Sequence, residues 1–232
     1  MNDHVTCHAV LATVVAAFLM SSCSSDSSNS TSPSPASIAS SSMSFFVTSA
    51  TSVTGNLGGL RGADALCQRL GASVGFGSKT WRAYLSVEHD PDNGNGPTDA
   101  RSRIGNGPWV NAAGITVAAN LTDLHARKGD PAVFVDERGQ RINGQWTGSP
   151  PPVQHDILTG STADGRLLVG LTCSDWTSTS TSVAAQVGHS DGFGPNQDTS
   201  GTLSSWNSAH ANASCADTAP RGGAGRVYCF AR

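Results

Sequence analysis

The six cysteines of this 232-residue chain fall into two groups. Two lie near the amino terminus and four are spread over the rest of the chain: Cys7 and Cys23, then Cys67, Cys173, Cys215 and Cys229. The later four contain no Cys-x-x-Cys pair and no histidine at ligand spacing, so they favour two disulfides over a zinc site. Three pairings are possible, and we favour the nested one, with Cys67–Cys229 outside Cys173–Cys215.

The first residues have the pattern of an export signal. Residues 10–20 are an apolar run of eleven, which is too short to span a bilayer but has the length of a signal-peptide core. Met-Ser-Ser then precedes Cys23, as in a bacterial lipobox, although Met20 stands where leucine is usual and no Lys or Arg precedes the run. We therefore expect a signal peptide over 1–22 and lipidation of Cys23, with plain secretion as the alternative.

Residues 23–44 are composed almost entirely of Ser, Thr, Asn and Pro after the cysteine. Such a segment has too little apolar surface to offset the entropy lost on ordering, so we expect a disordered tether. Ser24, rather than aspartate, follows Cys23, which favours sorting to the outer membrane. The expected localisation is therefore that of an exported outer-membrane lipoprotein, held to the membrane by its lipid alone.

The charge composition excludes several classes of protein. The net charge is -3, only 13% of residues are charged, and Lys79 and Lys128 are the only lysines. Since there is no polybasic tract, we expect no nucleic-acid partner. No apolar run reaches the ~20 residues of a spanning helix, which excludes a polytopic membrane protein.

Residues 45–232 are predicted to form one α+β domain with early helices, many short antiparallel strands and long loops. Apolar residues recur at helical spacing between Gly62 and Gly75, which predicts an amphipathic helix that carries Cys67 inward. β-Branched and aromatic residues predict a strand at 45–53, alternating apolar residues predict strands at 80–87 and 225–232, and a hairpin is predicted at 132–142.

Several segments, taken in order, resemble the endostatin-like branch of the C-type-lectin-like fold. They are GGLRGADALCQ at 58–68, WRAYLS at 81–86, ARSRIGNGPWVNAAG at 100–114, VFVDERGQRINGQW at 133–146, HDILTGSTADGR at 155–166, TCSDWTS at 172–178, SSWNSAHANASC at 204–215 and GRVYCF at 225–230. The nearest relatives implied are endostatin-like outer-membrane lipoproteins of bacteria, some of which bind host matrix and complement-regulatory proteins. The nested disulfide pairing fits this resemblance.

The wider fold suggests one candidate ligand site. Its sugar-binding members hold Ca²⁺ with loop oxygens and a Trp-Asn-Asp tripeptide, and the residues at similar places here are Asp191, Asn196, Asp198, Trp206 and Asn207. Serine replaces the aspartate of the tripeptide, and turn formation explains the loop residues without any metal. Trp206 is expected in the core.

Endostatin's own zinc site gives no expectation for this chain. That site uses a histidine-rich amino-terminal segment, whereas no histidine lies between Cys23 and His89. We therefore expect neither a metal nor another cofactor, apart from the Ca²⁺ considered above.

The sequence thus predicts a non-enzymatic surface or envelope lipoprotein that binds a macromolecular partner. The partner is a protein or a glycan, and the loops at 89–108 and 189–205 are its expected contacts. A Ca²⁺-dependent carbohydrate-binding module is one alternative. An envelope hydrolase that uses His89 and its acidic neighbours is another, although no nucleophile elbow or phosphate loop accompanies them.

Overall fold

A computed structural model describes residues 43–232, so the predicted signal peptide, Cys23 and the tether up to residue 42 lie outside the described residues. The domain is a mixed α+β fold with few helices and many short strands. Its helices are α1 (Gly59–Ser73), α2 (Leu121–Ala126) and α3 (Cys173–Trp176). Its strands are β1 (Phe45–Val47), β2 (Trp81–Ala83), β3 (Val87–Asp90), β4 (Gly96–Thr98), β5 (Trp109–Val110), β6 (Thr116–Ala118), β7 (Asp156–Leu158), β8 (Gln186–His189), β9 (His210–Ala211) and β10 (Gly223–Ala231).

The strand β10 organises the main sheet, whose order is β1-β10-β7-β8-β9. The carboxyl-terminal half of β10 pairs antiparallel with both β1 and β2, and its amino-terminal half runs parallel to β7. The strands β3 and β4, and likewise β5 and β6, form two separate two-stranded sheets. The closing strand predicted at 225–232 is confirmed at Gly223–Ala231.

Both faces of the main sheet are covered by apolar side chains. Along β1, Phe46 points to a cluster that also contains Trp81 and Cys67, whereas Phe45 points to a cluster with Trp109 and Trp206. This alternation follows from the period of two along a strand. Because both faces are buried, the sheet carries long apolar runs rather than an apolar-polar alternation.

The two disulfides are nested as predicted. Cys67–Cys229 joins α1 to β10, and Cys173–Cys215 closes a loop over a separation of 42 residues. The helix lies at Gly59–Ser73 rather than 62–75, and Cys67 faces inward as expected. At Gly71, a Cβ atom would lie 2.3 Å from Trp81 Nε1, so glycine allows the helix to pack against that indole ring.

Three sequence-based boundaries differ from the structure. The strand predicted at 45–53 ends at Val47, and the segment 80–87 divides between β2 and β3. The hairpin predicted at 132–142 is reduced to one bridge, because the Asp136 carboxylate accepts backbone N–H groups of the turn that strand pairing would otherwise use. Met43, two residues before the predicted domain start, is buried in the core.

The disulfides are typical of an oxidising, exported environment. Within the described residues, no helix combines the length and the apolar character needed to cross a bilayer.

Candidate metal centre

Three histidines and an aspartate lie close together at one end of the strands β7, β8 and β9 of the main sheet. Asp156 is the first residue of β7 and pairs directly with His189, the last residue of β8. His155 precedes β7 and His210 begins β9, which pairs with β8. Because β7 and β9 run antiparallel to β8, the first residues of β7 and β9 lie beside the last residues of β8.

The side chains of this group converge on the Asp156 carboxylate. Its Oδ1 lies 3.4 Å from His155 Nε2 and 3.3 Å from His189 Nε2, and its Oδ2 lies 3.6 Å from His210 Nε2. His189 Nε2 and His210 Nε2 are 2.9 Å apart. His155 and His189 also stack, with ring centroids 4.4 Å apart and planes within 9° of parallel.

The other ring nitrogen of each histidine has its own oxygen partner. These partners are Asp191 Oδ1 for His155 at 2.7 Å, the Leu203 carbonyl for His189 at 2.8 Å and the Ala211 carbonyl for His210 at 2.9 Å. Because a carboxylate or carbonyl can only accept, each Nδ1 donates its proton there. Each neutral ring would then present its Nε2 lone pair, which is the state in which histidine binds metals. Without a metal ion, the 2.9 Å contact between His189 Nε2 and His210 Nε2 is a hydrogen bond, so one of these two nitrogens carries a proton that a metal ion would replace.

Asp156 has no hydrogen-bond donor of its own. Both carboxylate oxygens are buried and accept no hydrogen bond from any residue in 43–232, and the residue is only 1% exposed. Burying an uncompensated carboxylate is strongly unfavourable. A positive charge between these groups would offset that cost, and either a bound metal ion or a proton on a neighbouring histidine could supply it.

The spacing of the group suits a divalent transition metal. Bonds of 2.0–2.1 Å in a tetrahedron place neighbouring ligand atoms about 3.3–3.4 Å apart. One ligand atom from each of His155, Asp156 and His189 lies within 4.8 Å of the other two, and His210 approaches from the more exposed side. Imidazole nitrogens with one carboxylate are ligands that zinc prefers, and Ca²⁺ would require six to eight oxygens.

Charges around the group keep its outer partner ionised. Burial raises the pKa of Asp191, but the hydrogen bond and charge of His155 and the N–H groups of Gln145 and Phe193 outweigh it, so that pKa is lowered. Burial lowers the pKa of His189, but the nearby Asp156 carboxylate favours the protonated ring and outweighs it, so the pKa is raised. Asp191 is therefore a fixed anionic acceptor that orients His155.

The predicted Ca²⁺ or sugar residues do not form a surface site. Trp206 and Asn207 are buried, because Trp206 packs in the core and Asn207 donates to Tyr84 Oη and to carbonyls of the 160s loop. Asp191 is buried as well and serves His155. Because Asp191, Trp206 and Asn207 are buried, they are not available to a ligand at the surface. The core position expected for Trp206 is confirmed.

Asn196 and Asp198 are exposed in the loop after β8. Asp198 accepts hydrogen bonds from Ser200 N and Ser200 Oγ, which is the behaviour of a turn residue. Neither Asp191 nor Asp198 joins a cluster of three metal-ligating His, Cys, Asp or Glu side chains within residues 43–232.

The acidic neighbours of His89 also separate in the structure. His89 Nδ1 lies 3.0 Å from Asp175 Oδ2, and the His89 side chain is 64% exposed. Asp90 instead accepts hydrogen bonds from Asp92 N and Thr98 Oγ1. Asp175 is held by α3, whose four residues all have positive φ, from 49° to 63°.

Spacing along the chain could not reveal the histidine cluster. His155, His189 and His210 come from three strands that are neighbours only because of the sheet order. One signal was present for two of them, since His155 directly precedes the apolar segment of β7 and His189 ends that of β8. No protein-family model matches this chain, and no curated protein matches its sequence.

Proposed function

We propose that this chain is an exported module that binds one divalent metal ion of the zinc class through His155, Asp156, His189 and His210. The observation that carries the proposal is Asp156, whose two buried oxygens have no hydrogen-bond donor among residues 43–232 while three imidazole nitrogens face them. The four groups are electron-pair donors, so a cation satisfies all of them together.

The metal would brace a loop that remains free to contact a partner. Residues 195–202 are exposed, and the loop that contains them leaves the sheet at His189 and returns through Leu203 and Ser204. The Leu203 carbonyl accepts the Nδ1 proton of His189, so a metal on Nε2 fixes both ends of the loop. This supports the display role predicted from the sequence for 189–205.

The second predicted loop, 89–108, is less suited to that role. It contains the strand β4, and both Ala100 and Ile104 are buried in the core. Continuous exposure within it is confined to the tip at 91–95 and to the three residues 106–108. We therefore assign partner binding to the loop at the metal centre.

We also propose that Cys23 is lipidated and that the domain is attached to the outer membrane. The lipobox-like residues and the Ser-rich segment support this assignment, and the disulfides agree with the compartment. Metabolic labelling with a palmitate analogue tests it. Label is expected in the parent and lost in Cys23→Ser, and equal labelling of both would overturn it.

Calorimetry on the chelator-treated full chain tests metal binding. One Zn²⁺ per chain is expected, and Asp156→Asn should weaken binding by at least about 100-fold because it removes the only anionic ligand. The matched control is Asp175→Asn, another aspartate beside a histidine, and it should bind as the parent does. Equal binding by Asp156→Asn and the parent would overturn the proposal.

Loop replacement tests the display role in a solid-phase assay with host extracellular-matrix proteins. A Gly-Ser segment in place of 195–202 should abolish binding, whereas the same replacement at 91–95 should not. Unchanged binding after replacement of 195–202 would overturn the role of this loop while leaving the metal centre in place.

A further inference from the structure

A cavity of about 370 Å³ lies against the metal centre, with walls that are mostly apolar. The centre contributes its three histidines to this cavity, and Pro195, Leu203, Gln145 and Arg221 complete it. The volume falls in the range of small-molecule sites. The His210 side chain is 28% exposed, compared with 1% for His189, so the centre is most accessible from the side of His210.

Arg221 brings a positive charge to the same cavity. It is exposed and pairs with no carboxylate within residues 43–232. Its backbone has a φ of 71°, which arginine rarely adopts, and its Nη1 donates to the Ala211 carbonyl 3.2 Å away. This turn directs the guanidinium toward β9, the strand that also carries His210.

The charges select the type of ligand. A divalent ion and Arg221 contribute three positive charges, and Asp156 and Asp191 contribute two negative charges. The region then keeps one positive charge, which a single carboxylate neutralises and a phosphate dianion exceeds. Because Pro195 and Leu203 offer apolar contact, an organic carboxylate fits the cavity better than an inorganic anion does.

We propose that this cavity binds a small organic carboxylate, with one oxygen on the metal ion beside His210 and the other paired with Arg221. His155, Asp156 and His189 form the tightest part of the proposed centre, and with His210 they make four ligands, so the carboxylate oxygen would be a fifth ligand on the exposed side of His210. Arginine favours this arrangement because its planar guanidinium matches a carboxylate. The proposal rests on the metal centre proposed above.

Cobalt in place of zinc gives the test a spectroscopic signal. The visible absorption of the full chain loaded with Co²⁺ is followed during separate titrations with acetate, benzoate and inorganic phosphate. Benzoate should shift the spectrum saturably and bind more tightly than acetate, because its ring reaches the apolar wall. Phosphate should bind more weakly than either.

Arg221 is tested by Arg221→Asn, because asparagine tolerates positive φ. This variant should weaken benzoate binding about tenfold and leave Co²⁺ binding unchanged, since a charge-assisted pair is lost but no metal ligand is. Arg221→Lys should restore part of the affinity. Arg166→Asn, at another exposed arginine, is the matched control and should behave as the parent does.

The outcomes separate this proposal from the one on which it rests. Stoichiometric Co²⁺ binding with a spectrum that benzoate does not change would overturn the carboxylate site alone. Equal benzoate affinity in Arg221→Asn and the parent would show that Arg221 does not bind the carboxylate. Phosphate binding as tight as benzoate binding would overturn the choice of an organic carboxylate as the ligand. Failure to bind Co²⁺ at all would overturn both proposals.

Discussion

Two buried aspartates of this domain are neutralised in different ways. Asp64 on α1 accepts hydrogen bonds from the Ala83 N–H group and from the guanidinium groups of Arg82 and Arg103. Asp156 on β7 is buried more completely, yet neither of its oxygens accepts a hydrogen bond within the described residues. The first carboxylate holds a helix against a strand, whereas the second faces only imidazole nitrogens.

The difference separates a structural role from a ligand-binding role. A carboxylate that serves only the fold is paired, because a buried charge without a partner is costly. Asp64 meets that condition with the protein's own arginines, whereas Asp156 has only histidines beside it, and we propose that a bound metal ion supplies its counter-charge. The following predictions test this contrast in order of decreasing effect.

Asp64→Asn should lower the free energy of unfolding by about 3 kcal/mol, because it leaves the mostly buried Arg103 guanidinium without its anion. The loss should be the same with and without Zn²⁺. Urea unfolding measures it, with the exposed pair partner Asp92→Asn as a control that should unfold as the parent does. A loss at Asp64 that appears only with bound metal would contradict the comparison.

Removal of the metal should lower the melting temperature by about 5–16 °C. Zn²⁺ at 100 to 1,000 times its dissociation constant stabilises the folded state by about 2.7–4.1 kcal/mol, and about 2–4 °C accompanies each kcal/mol in a domain of this size. Differential scanning calorimetry with Zn²⁺ or with chelator measures the shift. Identical melting curves under the two conditions would show that a metal ion does not stabilise the fold.

Asp191→Asn should weaken Zn²⁺ binding about 10- to 100-fold while keeping one ion per chain. Asp191 touches His155 rather than the ion, and outer partners of this kind orient the ring and strengthen it as a ligand. Isothermal titration calorimetry gives the affinity, and Asp198→Asn on the exposed loop is the control. Unchanged affinity in Asp191→Asn would show that His155 needs no such orientation.

Asp156→Asn should stabilise the metal-free protein slightly, by about 1 kcal/mol, although it weakens metal binding. The substitution removes a buried charge that accepts no hydrogen bond within the described residues. The metal-free fold is therefore relieved of an unfavourable desolvation energy and loses no stabilising contact. Chemical unfolding in chelator measures the change. A loss as large as that of Asp64→Asn would mean that Asp156 is paired within the fold.

The sequence revealed those parts of the structure that depend on local pattern. The helical spacing around Cys67 predicted α1, the alternation near Cys229 predicted β10, and four domain cysteines with the family resemblance favoured the nested disulfides. The core position of Trp206 was also predicted. In each case the residues that decide the element are close in sequence or few in number.

The metal centre depends instead on which strands are neighbours. His155 with Asp156, His189 and His210 lie on separate strands, and their meeting requires β7 beside β8 and β8 beside β9. No spacing rule along the chain contains that order. The candidate Ca²⁺ residues around Asp198 and Trp206 show the reverse case. They are close in sequence, but Trp206 is buried in the core and Asp198 lies in an exposed turn.

X-ray absorption at the zinc edge of the Zn²⁺-loaded chain reports which atoms bind the ion. We expect nitrogen and oxygen ligands at about 2.0–2.1 Å, with the multiple-scattering pattern of at least two imidazoles, and we expect Asp156→Asn to lose that pattern at a Zn²⁺ concentration that fills only the parent site. A zinc shell made only of water and carboxylate oxygens, or one unchanged in Asp156→Asn, would contradict the proposed metal centre.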